Sequence, residues 1–127
     1  MILVDGALTD GHLGLIHDVV PAGHAGPLLH LHPAFDEGFY VLAGELVFRV
    51  GDTVSTVKAG EVALARRGEP HTFANRTGQD VPVLMFVTPA GFEQHFADGA
   101  AQARPPQDST IVIGGRLDED QGRETLG

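Results

Sequence analysis

Residues 26–44 read GPLLHLHPAFDEGFYVLAG. His30 and His32 lie two apart, and Glu37 follows five positions after the second histidine, in a stretch otherwise rich in apolar strand formers. Residues two apart on a strand point to the same side, so His30 and His32 face one way and Leu31 the other. Polar groups on a buried face cost free energy unless something satisfies them. The spacing leaves open a hydrogen-bond network and a metal ion, with half-exposed histidines on an edge strand as the plain alternative.

Outward from this stretch, the chain keeps one rhythm. Its 127 residues suit a single domain, and 17 glycines and 8 prolines are spread between short apolar runs. Turn residues distributed in this way mean many short strands. The pattern predicts strands at residues 2–4, 13–20, 28–31, 37–42, 45–50, 53–57, 61–65, 71–75 and 83–88, with Gly51-Asp52 as a hairpin turn. Such spacing points to an all-β sandwich or barrel. One short helix is expected near the C-terminal end of the domain: Thr88 caps it, Pro89 fits its first turn, and Phe92 and Phe96 share a face. The domain is expected to span residues 1–103. Residues 104–127 read as an extension, with a proline-containing linker at 104–108, a short strand at 109–113 and a loosely attached polar tail at 118–127.

Composition excludes several function classes. Lys and Arg number 8 against 17 Asp and Glu, a net charge of −9, so phosphate backbones are repelled and nucleic-acid binding is not expected. No apolar run reaches the roughly 20 residues of a membrane span. The N-terminal MILVDGALTD has no basic region leading into a long apolar core, so no secretory signal is read and a cytoplasmic location is expected. Without cysteine, any metal must be held by His, Asp or Glu.

A second segment, residues 60–75, reads GEVALARRGEPHTFAN. His71 follows a Gly-Glu-Pro turn and opens a short strand; alone, it would pass for an ordinary strand-end histidine. Taken together, the two segments resemble the cupin superfamily. The family's first motif has the form G-x5-H-x-H-x(3,4)-E-x6-G, matched here by His30, His32, Glu37 and Gly44. His24 stands where its first glycine belongs. The second motif, G-x5-P-x-G-x2-H-x3-N, is matched by Gly60, Gly68, His71 and Asn75, with Arg66 in place of the proline. The 15 residues between the motifs (45–59) are as few as in small single-domain cupins, and the stretch 88–93, TPAGFE, resembles the end of quercetinase-like members.

The resemblance implies a double-stranded β-helix, the jelly-roll cupin barrel, with His30, His32, Glu37 and His71 converging inside it on one divalent transition metal: Fe, Mn, Ni, Cu or Zn. Three neutral imidazoles and a carboxylate would leave such a site near +1, with open positions for a substrate that binds through an anionic oxygen. Glu37 is either a ligand or a catalytic base. Counting along the strands makes Phe39, Phe48, Phe73 and Met85 the candidate walls of a substrate pocket. Tyr40 falls on the opposite face. His12 and His17 are expected in the N-terminal strands and their turn, His24 exposed in a Gly/Pro loop that could reach the pocket mouth, and His95 at the surface of the helix. Three functions stay open: a quercetinase-like dioxygenase acting on a small enol or phenol, a non-redox cyclase or isomerase, and a non-catalytic module that binds a small ligand or metal. A homodimer involving the N-terminal strands is expected.

Overall fold

The computed structural model describes residues 1–96 and 110–117. Ten strands are found among them: β1 Ile2–Val4, β2 Gly14–Val20, β3 His30–Leu31, β4 Asp36–Val41, β5 Glu45–Val50, β6 Thr53–Lys58, β7 Val62–Ala65, β8 His71–Ala74, β9 Val81–Thr88 and β10 Ile111–Val112. They form two five-stranded antiparallel sheets, ordered β1-β2-β9-β4-β7 and β10-β3-β8-β5-β6. The expected all-β jelly roll is the fold observed.

Alternating side chains make the two layers. Along β9, buried and half-buried residues alternate through all eight positions, so Val81, Val83, Met85 and Val87 face inward. Val81, Val83 and Met85 meet Ile16, Phe39 and Val41 of their own sheet and Leu46, Phe48 and Val57 of the other, forming one core between the sheets. Burying each such large apolar side chain contributes about 1.5–3 kcal/mol. The β5–β6 hairpin turns at Gly51, whose φ of 59° favours glycine.

Near residue 88 the structure departs from the sequence expectation. Thr88 ends β9 and caps no helix, because the strand pairing continues to Asp36↔Thr88. The next element is a single 3-10 helix, Phe92–Phe96. Its anchor is Glu93, fully buried, whose carboxylate accepts the backbone N–H groups of Gly6 and Gly91. The helix is thereby tied to the N-terminal loop.

The strand expected at 109–113 is present as β10, paired antiparallel to β3. The expectations for residues 104–108 and 118–127 lie outside the described residues.

Candidate metal centre

Neighbouring strands bring the four motif residues together. His30 of β3 lies directly opposite His71 of β8, and Glu37 enters from β4 in the facing sheet. His32 follows β3 immediately, and its carbonyl accepts the N–H of Gly68, a glycine of the second motif, at 2.8 Å. One ligand atom from each of His30, His32, Glu37 and His71 lies within 4.8 Å of the others, a group that could hold a metal ion. All four side chains are buried.

Hydrogen bonds at the outer nitrogens test whether the group fits an ion. His30 Nδ1 donates to the Leu28 carbonyl at 2.6 Å, and His71 Nδ1 to the Glu69 carbonyl at 2.9 Å. A carbonyl only accepts, so each Nδ1 carries the proton and Nε2 is left to the interior. This is the arrangement that prepares imidazoles as metal ligands. Inside the cluster, His71 Nε2 lies 3.0 Å and His32 Nε2 3.7 Å from Glu37 Oε1. The residues fit a divalent transition ion.

Protonation follows from the same geometry. Burial raises the pKa of Glu37, but the nearby imidazoles of His32 and His71, the latter hydrogen-bonded to it, outweigh burial and hold the carboxyl down to about 2. Burial lowers the pKa of His71, yet the bond to Glu37 prevails and the net shift is upward. His30 has no such carboxylate bond, and burial followed by the charge of His71 pushes it down to about 4. Without an ion, Glu37 is held ionised against His71, while His30 is pushed toward its neutral form.

The cluster opens into a cavity of about 530 Å³. Phe39, Phe73 and Met85 line it, as the strand count implied. Phe48 does not: it is buried one layer behind, its ring 5.2 Å from Phe39 and 5.5 Å from Phe73. His24 and His95, expected in a loop and on a surface, both line the cavity. Phe92 and Phe96 form a wall on the 3-10 helix. Phe92 also lies 5.0 Å from the ring of His32, and Phe35 stacks on His32 at 4.5 Å. The spacing 92–96 signalled the shared face but not what it faces. Asn75, the last residue of the second motif, is structural: its amide donates to the carbonyls of Val20, Pro21 and Gln79. His12, Glu45 and Glu61 are exposed, and Tyr40 points outward as expected.

Comparisons with known proteins agree with this picture. The family model described as "Cupin domain" matches residues 16–87. No curated protein matches the chain. Among solved structures, a predicted oxalate decarboxylase from Thermotoga maritima is 28% identical, with a TM-score of 0.61 over 68% of this chain and 75% of that one. TT1209 from Thermus thermophilus is 26% identical, with a TM-score of 0.57 over 62% of this chain and 74% of that one. KdgF from Halomonas sp., at 16% identity, shares the fold with a TM-score of 0.64 over 74% of this chain and 80% of that one.

Proposed function

The chain belongs to the cupin domain family, and from that premise we propose that it is a metal-dependent dioxygenase of the quercetinase-like kind, acting on a small planar enol or phenol. The observation that carries this proposal is the junction of a buried His3Glu cluster with an aromatic-walled cavity of about 530 Å³.

His30, His32, Glu37 and His71 would hold the ion. A redox-active divalent ion there would supply Lewis acidity toward an anionic oxygen and access to dioxygen. Phe39, Phe73, Phe92 and Met85 supply an apolar, largely aromatic wall that orients a ring and excludes water. The strongly ionised state of Glu37 suits a ligand. The same carboxylate accepts the substrate hydroxyl proton once it exchanges its histidine bond for the substrate.

A small dicarboxylate substrate, suggested by the Thermotoga maritima relative, suits this cavity less well: among the described residues no Lys or Arg lines it, and its walls are mostly apolar. The dioxygenase assignment is tested by oxygen uptake with a panel of flavonols and 1,3-diketones. Equimolar loss of oxygen and substrate, abolished under nitrogen, is expected. Turnover that continues without oxygen and survives replacement of iron by zinc would point instead to a cyclase or isomerase.

We also propose a homodimer. Tyr40, Leu42, Val62 and Leu64 are exposed on the first sheet, away from the core. Exposed apolar side chains gathered on one sheet favour association. Light scattering at micromolar concentration should give twice the chain mass, and a monomer mass would contradict it.

A further inference from the structure

The three ligand histidines hold their outer nitrogens differently. His30 and His71 each use a backbone carbonyl two residues earlier in their own segment, Leu28 and Glu69. For His32, Nδ1 lies 3.3 Å from the hydroxyl of Thr110, 78 residues away. Thr110 falls beyond residues 16–87, the part of the chain that the family model covers.

Its position is built into the fold. β10 pairs with β3 in the register Ile111↔Leu31 and Val112↔His30, which sets Thr110 beside His32. The segment is held on both sides of Leu29. Ile113 N–H donates to the Leu29 carbonyl at 2.9 Å, and Leu29 N–H donates to the Gly115 carbonyl at 2.8 Å. Leu117 is fully buried, and Gly114 lies so close to Leu29 that an added Cβ would come within 3.1 Å of it. Thr110 and Val112 also line the cavity.

We propose that Thr110 is a positioning residue of the metal centre, and that β10 is part of the site. With its hydroxyl as acceptor for the Nδ1–H of His32, Thr110 orients the ring so that Nε2 faces Glu37. All three imidazoles then present the same nitrogen to an ion. This inference rests on the metal-binding proposal above.

The test is a titration of the metal-free protein with Co2+, followed by its visible absorption, for the natural chain, Thr110→Val and Thr110→Ser. Valine keeps the shape and removes the acceptor; serine keeps the acceptor. Loss of a group that orients a ligand typically weakens metal binding 10–100-fold, so Thr110→Val should bind at least about tenfold more weakly and Thr110→Ser within about twofold of the natural chain. The metal-free melting temperature of Thr110→Val should not move. Equal affinity in Thr110→Val, or a serine variant as weak as the valine one, would overturn the role of the hydroxyl while leaving the metal centre standing. A natural chain that takes up no Co2+ would overturn both.

Discussion

The two ends of this barrel share β4 and differ in what they need. At one end Val41, Leu46, Phe48, Val81 and Val83 close a dry core between the sheets. At the other, β3, β4 and β8 carry three imidazoles and a carboxylate into an equally buried place that opens on a cavity. The first end is held by apolar burial. The second is paired internally, through His71 and Glu37, in a way that an ion can replace. Stability and metal binding should therefore separate under mutation.

The largest effect on stability should come from the dry end. Phe48→Ala removes a ring packed against Phe39 and Phe73 and should cost about 3–5 kcal/mol in denaturant unfolding, while the ligands remain in place. A loss of metal without a loss of stability would break the separation.

Next comes acid. The pKa of Glu37 is lowered by folding from 4.5 to about 2, so its contribution is present above pH 4.5 and lost as pH falls through about 2. His30 adds a loss between pH 6.5 and about 4, because the unfolded chain takes up that proton first. His71, raised, opposes this at the upper end of the range: its contribution is complete below pH 6.5. Metal-free protein should lose on the order of 2 kcal/mol between pH 4.5 and 2 through Glu37 alone. In Glu37→Gln this part of the slope should be missing from pH-dependent unfolding curves.

Gly38→Ala should cost less, about 1–3 kcal/mol by thermal unfolding, since an added Cβ would meet the ring of Phe86 and force it aside. The smallest effect should be that of His30→Ala on the fold. It removes a buried imidazole and one carbonyl bond, so the metal-free melting curve should shift by no more than about 1 kcal/mol. Metal uptake should nevertheless fall sharply. A variant that unfolds would show that the cluster supports the core.

Much of this architecture was legible in the sequence, and the limits are instructive. The four ligand candidates could be named because two separated motifs agree, and strand alternation placed Phe39, Phe73 and Met85 on the cavity side. Alternation gives a face but not a depth, which is why Phe48, on the correct face, lies behind the cavity wall. The helix expected after Thr88 is one 3-10 turn because the pairing of β9 with β4 persists to its end. His24 and His95 reach the cavity through a loop and a short helix whose directions no periodicity encodes. The contact of Thr110 with His32 depends on the register of two-residue strands far apart in the chain, a relation with no local signal.

The central claim is that His30, His32, Glu37 and His71 hold one divalent ion. Elemental analysis of protein purified without added metal, beside a His71→Ala variant, tests it most directly. Close to one transition ion per chain is expected in the natural protein, with near-complete loss in the variant. Full retention of the metal by His71→Ala, or no metal in either protein after incubation with excess divalent ions, would contradict it.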